Sequence, residues 1–310
     1  MATLGGQVTA FNNIKRAQQA FAAGLGGSGI NLTELDNFWG RIESVTLRAS
    51  ASLNDCSWDY ISKVSQAGFA DAIWSIGDRK GVTLSGTVGK DTALSGTYYC
   101  YILGFNHNAA KEGNNLIHFE FGFSALSGGS HIAFVDSSYD TLQGGDTSTN
   151  TYLRMNKTRT NSGGWSASTM RNYTLNGGTK SFYAAFPADL KAVVKTITKY
   201  TDNVGNGSGS VASNVTATTD KLFIVSCFEL RGQTSSGNSN EASYQQQYQY
   251  YKNGNAKIRK KHNATGTGSK FYTRSPVVSN GAQFLGFNVT DGGLTLYAEA
   301  CEGVSPCFCV

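Results

Sequence analysis

The chain has 310 residues, of which 40% are hydrophobic and 15% charged, with Gly at 37 positions and Pro at three. Folding a chain of this length removes roughly three-quarters of its unfolded surface from water, so a full core is available without staples. An aromatic content of 12% argues against disorder, and 26 basic against 21 acidic side chains, a net charge of +5, lack the dense basic stripe of a nucleic-acid binder.

Polarity is carried by Gly, Ser, Thr and Asn, a mix that suits turns and strands. The N-terminus has no basic-then-apolar signal order, and no segment approaches the roughly 18 consecutive apolar residues of a membrane span, so neither export by a leader nor membrane insertion is expected. Within residues 1–53, Phe11, Ile14, Gln18, Phe21 and Leu25 recur at helical spacing, Gly24 to Gly29 interrupts, and Leu32, Leu35, Trp39 and Ile42 resume it. Two short amphipathic helices are expected there, as an attachment or oligomerisation segment or as a pair packed on their own domain.

A second region begins at Asn54. Asn54 to Ser57 supplies cap candidates for a helix carrying Trp58, Ile61 and Val64, stopped by Gly68. Strands are expected at Ala72 to Ile76, Val82 to Leu84, Tyr98 to Phe105, Leu116 to Phe123 and Ile132 to Val135. Ser137 to Gly178 reads as a pinned loop that turns Trp165, Met170 and Tyr173 inward. Pro187 opens a helix with the stripe Leu190, Val193, Val194 and Ile197. After a loop at Val204 to Ser213 come an apolar strand, Leu222 to Leu230, and a helix, Glu241 to Lys252, with Tyr244, Tyr248 and Tyr251 on one face and Gly254 as its stop. Gln283 to Val289, an Asp291-Gly292-Gly293 turn and Leu294 to Ala298 read as an antiparallel hairpin, followed by a terminal strand.

Chemistry-bearing residues assemble into no catalytic pattern. Cys56, Cys100, Cys227, Cys301, Cys307 and Cys309 lack the paired spacings of a zinc ribbon and read as free buried thiols, although Cys301 and Cys307 are able to bridge if oxidised. His107, His118, His131 and His262 have neither a Gly-x-Ser-x-Gly elbow nor a His-Glu-x-x-His helix beside them. The pairs Glu120 with Asp136 and Glu299 with Glu302 carry no mark of a glycosidase. Lys257, Arg259, Lys260, Lys261 and His262 form the one dense basic run, read as a solvated loop face, with a polyanion contact as the alternative.

Phe271-Tyr272-Thr273-Arg274-Ser275-Pro276 resembles an aromatic-aromatic-Leu-Arg-Ser-Pro signature, with Thr273 departing from the usual Leu. Gly303 to Val310 is similar to a Gly-Val-x-Pro-x-Phe-x-Val ending. Both belong to a C-type-lectin-like domain related to formylglycine-generating enzyme, known in phage tail proteins and gut-bacterial surface proteins. Trp58 to Ser62, Trp74 to Asp78, Ile102 to His107, Asn161 to Trp165, Met170 to Asn172, Pro187 to Leu190 and Lys199 to Asn203 resemble the same family, in order, from about Asn54 to the end.

The resemblance implies an α+β, C-type-lectin-like fold of antiparallel strands, a few short helices and long irregular loops over residues 54–310, with the ligand-presenting part at 270–310. In some members that stretch is a variable region rewritten by a diversity-generating retroelement, whose substitutions at adenines change surface residues while the framework stays. No Glu-Pro-Asn or Gln-Pro-Asp loop is present, so the likeness brings no calcium site, and no metal or cofactor is expected. The paired copper-binding cysteines of the related oxidases have only Cys301, Cys307 and Cys309 as counterparts, inside the terminal signature, so no catalytic residue is expected.

Arg274 to Pro276, Phe284, Val289, Gly292, Gly293, Ala298, Gly303, Val304, Pro306 and Phe308 read as framework. Period-2 alternation then turns Tyr272, Val278, Asn280, Gln283, Leu285, Phe287, Leu294, Leu296, Glu299 and Glu302 to the other face, either a ligand-binding patch or a second core face. The functional expectation is a phage virion surface protein, made in the bacterial host cytoplasm: a tail-tip or fibre receptor-binding protein, or a decoration protein. It would bind a host cell-surface protein or glycan, contact other virion proteins through residues 1–53, and form a homo-oligomer, with a trimer favoured. A purely structural virion subunit and a formylglycine-generating-like oxidase are the alternatives.

Overall fold

The computed structural model describes residues 52–140, 151–290 and 292–310. The expected attachment segment, except for Ser52 and Leu53, and the expected turn residue Asp291 lie outside the described residues. The fold is α+β, and Ser52–Val310 form one compact unit. Among the described residues no helix is long and apolar enough to cross a membrane.

The main sheet begins with a long hairpin, β1 (Arg79–Val88) and β2 (Thr92–Phe105), in continuous register from Arg79 opposite Tyr101 to Val88 opposite Thr92. Its turn needs Gly89, at φ +61°, because a Cβ there would meet the Thr151 carbonyl oxygen at 2.2 Å. Next comes β3 (Ile117–Phe123), seven residues buried without alternation. The two-residue β4 (Ile132–Ala133) pairs with β8 (Arg259–Lys261), which pairs with β9 (Ala264–Ser269). A separate ribbon joins β5 (Ile197–Asp202) to β6 (Val215–Asp220), and β7 (Leu222–Phe223) forms an edge of the main sheet. A three-stranded sheet holds β10 (Phe271–Pro276), β11 (Gln283–Phe287) and β12 (Gly293–Tyr297). The terminal strand β13 (Cys307–Cys309) leaves that sheet and inserts between β3 and β7.

Insertion of β13 closes the core. Phe308 stacks on Phe119 with centroids 5.2 Å apart, and Trp58 meets both edge-on. Trp58 opens helix α1 (Trp58–Gln66), whose N-cap Ser57 accepts from the Tyr60 N–H, and Gly68 ends the turn at φ +76°, as the sequence indicates. The Ser65 hydroxyl then donates to the Val310 carbonyl at 3.0 Å, tying the first helix to the last residue.

Elsewhere the structure differs from the sequence reading. Ala72 to Ile76 is no strand; helix α2 (Ala70–Ile73) ends there so that Trp74 can enter the core. Helix α3 (Ala109–Glu112) and the short α4 (Gly164–Ala167) break the loops, and α5 (Phe182–Ala185) precedes α6 (Ala188–Val193). Pro187 caps α6 rather than opening it, and Ile197 has passed into β5. The apolar run Leu222 to Leu230 divides into β7 and helix α7 (Cys227–Arg231), because Ser226 and Glu229 form a reciprocal capping box inside it. The helix expected over Glu241 to Lys252 shortens to a 3-10 turn at Ser239–Ser243 and helix α8 (Gln249–Lys252). Between them the chain carries Gln245 and Tyr248 into the interior, where Gln245 donates to the Tyr200 carbonyl.

Trp165 and Met170 are buried as expected, whereas Tyr173 is 46% exposed. All six cysteines are free and buried. Arg259, read as solvated, is buried against the Glu120 carboxylate at 3.2 Å, with the Tyr251 hydroxyl at 2.7 Å from its guanidinium.

Phe308→Ala removes an aromatic ring shared by Trp58, Phe119, Phe121 and Phe186. The expected loss is about 3–5 kcal/mol of unfolding free energy in urea titration. A loss below about 1 kcal/mol would show that β13 is peripheral.

Candidate recognition surface on the C-terminal sheet

The C-terminal sheet stands on an ionic cluster. Arg274 of β10 donates through Nη2 to Glu229 Oε1 at 2.7 Å, through Nε to Thr201 Oγ1 at 2.7 Å, and through Nη1 to the Ile224 carbonyl at 2.8 Å. Lys199 of β5 donates to Glu112 at 2.6 Å, Glu229 at 2.9 Å and the Tyr248 hydroxyl at 2.9 Å. All four charged side chains are buried, and their formal charges cancel. Burial alone would raise the Glu229 carboxyl, but Arg274 and Lys199 outweigh it and hold the group well below the usual carboxylate range.

His107, Glu112 and Glu229 bring potential ligand atoms within 4.8 Å of one another, the one constellation of metal-binding type among the described residues. The Lys199 ammonium already takes the cation's place between the two carboxylates. His107 stacks on Tyr248 at 3.7 Å, and burial, reinforced by Lys199, lowers its pKa to about 3. The two carboxylates are therefore answered from within, while the buried His107 Nε2 has no hydrogen-bond partner.

Glu241 forms a second brace, accepting from the Asp202 N–H of β5 at 2.9 Å and the Ser275 hydroxyl of β10 at 2.7 Å. Burial raises its pKa to about 7, against the pull of those two bonds.

The ten residues expected to share one outward face divide into two layers. Tyr272, Leu285, Phe287, Leu296 and Glu302 are buried, which corrects their assignment to an open ligand-binding face. Tyr272 donates its hydroxyl to the Ala300 carbonyl at 2.7 Å, clamping the chain after β12. Leu285 packs with Cys227 and Val277, and Phe287 lies against Phe271. Leu296 covers Gly286, where a Cβ would meet its Cδ1 at 2.4 Å. Glu302 pairs with Lys270 at 3.1 Å. The reason is that β10 and β11 are covered on both sides, so alternation selects between two interiors.

The other five stay at the rim: Asn280 is exposed, and Val278, Gln283, Leu294 and Glu299 are half-buried. Val289, expected in the framework, is 43% exposed. Beneath the rim, one side chain holds the β10–β11 loop. The Asn161 amide nitrogen shares its protons among the carbonyls of Val277 at 3.1 Å, Asn280 at 2.9 Å and Gln283 at 2.7 Å. Main-chain bonds from Asn161 to Gly281, Gly209 to Val278 and Ala298 to Ala282 complete the support. None of these bonds uses a side chain of Val278, Ser279 or Gln283.

Sequence reasoning missed the neighbouring segment. Gly209 joins the loop of Val204 to Ser213 to the rim, and Val204 and Val211 beside it are 43% and 42% exposed. It also missed a recess of about 80 Å³ between Arg231, Ser235, Ser236, Leu285, Leu294 and Thr295. The Asn-Gly and Gly-Ser-Gly sequences at 206–209 and 280–281 mark both segments as turns, but no signal in the sequence brings the two together.

Two substitutions test the bracing. Lys199→Met leaves Glu112 and Glu229 with Arg274 as their remaining cation, and a loss of about 3–5 kcal/mol in urea unfolding is expected; a loss under about 1 kcal/mol would remove the cluster from the stabilising framework. For Glu241, the folded pKa of about 7 exceeds the ordinary 4.5, so its ionisation costs stability as pH rises through that interval. The stability of Glu241→Gln relative to the unsubstituted chain should therefore improve, on the order of 3 kcal/mol, between about pH 5 and about pH 8. A difference that does not change with pH would contradict the raised carboxyl.

A family model described as a domain of unknown function (DUF6273) matches residues 144–310. No curated protein and no solved structure matches the chain. With more than half of its length inside that match, the chain belongs to the DUF6273 family.

Proposed function

We propose that the chain is a recognition subunit on the surface of a phage virion, a tail-tip or fibre receptor-binding protein or a decoration protein, and that the rim of its C-terminal sheet binds a host-surface protein or glycan. The observation that carries this reading is the support of the β10–β11 loop by Asn161 and main-chain bonds. A recognition surface must tolerate changes of side chain without losing backbone position, and Val278, Ser279 and Gln283 stand on backbone held by other groups. That independence is what a retroelement-diversified region requires.

Composition supports the same reading. The rim offers apolar groups at Val204, Val211, Val278 and Leu294 among amide and carboxylate groups at Asn280, Gln283 and Glu299, the mixture a protein or glycan surface engages. An oxidase of the formylglycine-generating type would need thiolate ligands, whereas burial pushes the thiols of Cys301, Cys307 and Cys309 up. In this reading residues 1–53 attach a homo-oligomer, a trimer in the favoured form, to other virion proteins.

The test is binding of the purified, fluorescently labelled chain to cells of the host that the virion infects. Val278→Ser, Gln283→Ala and Leu294→Ser combined should retain the melting temperature and lower cell binding by about tenfold or more, since a few anchors carry most of an interface's energy. Undiminished binding by the folded triple variant would overturn the proposed rim. Serine at Tyr272, Leu285, Phe287 and Leu296 would instead damage the platform, so it cannot serve as the comparison.

A further inference from the structure

On a different part of the molecule, a cleft of about 340 Å³ opens between the π-turn at Met170–Leu175, helix α5 and the end of β6. None of its lining residues belongs to the rim. Its volume falls within the range of small-molecule sites, and its wall combines one aromatic ring with polar groups.

The charges in the cleft are unequally spent. Arg171 donates through Nε to Asp220 at 2.5 Å and through Nη2 to the Thr219 carbonyl at 3.1 Å. Asp220 also accepts from Trp165 Nε1 at 3.1 Å and the Thr218 hydroxyl at 2.7 Å, so its acceptor capacity is used inside the protein. Lys221 is exposed, and its ammonium lies 3.1 Å from the Tyr183 hydroxyl and 4.5 Å from the ring centroid. Among the described residues no carboxylate pairs with it. The exposed Thr196 and Thr219 add hydroxyls to the same wall, and half-buried Tyr183 supplies an apolar surface.

We propose that this cleft binds an acidic saccharide, a sugar ring bearing a carboxylate or a phosphate, with the anion at Lys221, ring hydroxyls at Thr196 and Thr219, and the ring's apolar edge against Tyr183. A neutral sugar leaves the ammonium without a countercharge, and a bare anion makes no use of the aromatic wall. The anion contributes most because hydrogen bonds to charged groups are stronger than neutral ones.

Isothermal titration of the full chain tests this with sialyllactose, a glucuronate-terminated disaccharide and glucose 6-phosphate as acidic probes, and lactose and inorganic phosphate as controls. At least one acidic saccharide should bind at millimolar concentration or better, more tightly than either control; the carboxylate and phosphate arms show which anion is preferred. Lys221→Gln, at an exposed position, should weaken that binding about tenfold without shifting the melting temperature. Tyr183→Leu should weaken it too, and the triple rim variant should leave it unchanged, which separates this site from the rim. Failure of all three acidic probes, equal binding of inorganic phosphate, or indifference to Lys221→Gln would overturn the proposal.

Discussion

A carboxylate that stays ionised when shut away from water has to be met by cations, and Glu229 imposes that requirement in the interior of this protein. Arg274 reaches it from the C-terminal sheet, Lys199 from the β5–β6 ribbon, and the Ser226 N–H from the start of its own helix. Lys199 also draws in Glu112 from α3, which lies far upstream in the chain. Clusters of this kind seldom stabilise more than apolar packing of equal volume, but they define position. An apolar contact tolerates a slide of an ångström, whereas here the same slide would leave charge without a partner in a medium of low dielectric.

The consequence reaches the surface through β10. Arg274 and Ser275 are neighbours on that strand, one bound to Glu229 and the other to Glu241, so both alternating faces of β10 are fastened to the interior. The strand is then fixed before its loop begins, and Asn161 and the main chain fix the loop itself. At Val278, Ser279 and Gln283 mechanical support and surface chemistry thereby reside in different residues, whereas Asn280 serves both, since its side-chain oxygen accepts from the Ala282 N–H at 2.9 Å. The sheet resembles a bracket bolted from below, with most of its upper side chains free of structural duty.

Local signals in the sequence were good guides to local structure. Ser57, the stripe Trp58, Ile61 and Val64, and Gly68 specify α1 within a dozen residues, and the β11–β12 hairpin follows from two apolar runs flanking a Gly-rich turn. What escaped was polar burial. β5 turns Lys199 and Thr201 inward, so its core face has no hydrophobic period to detect. Arg259 sits in a basic run that looks solvated, yet it answers Glu120 on β3. The capping box of Ser226 and Glu229 was present in the sequence but lay inside an apolar run that outweighed it. Assignment of faces failed for a related reason: alternation tells which residues share a side, and only tertiary contact tells which side water reaches.

That failure explains why the candidate surface is composite. Had β11 and β12 presented one bare apolar face, the sheet would have exposed Leu285, Phe287 and Leu296 together, a patch that invites aggregation in an unbound protein. Instead the strands bury those groups and leave the accessible apolar groups to loop ends and the edge strand, where half-buried Val278 and Leu294 stand among the polar Asn280, Gln283 and Thr295. A rim of scattered apolar groups presents no continuous apolar patch, which is the condition under which anchors can stand in water. Specificity in such a design depends on the spacing of the anchors, and spacing is the property that the buried charges below them hold constant.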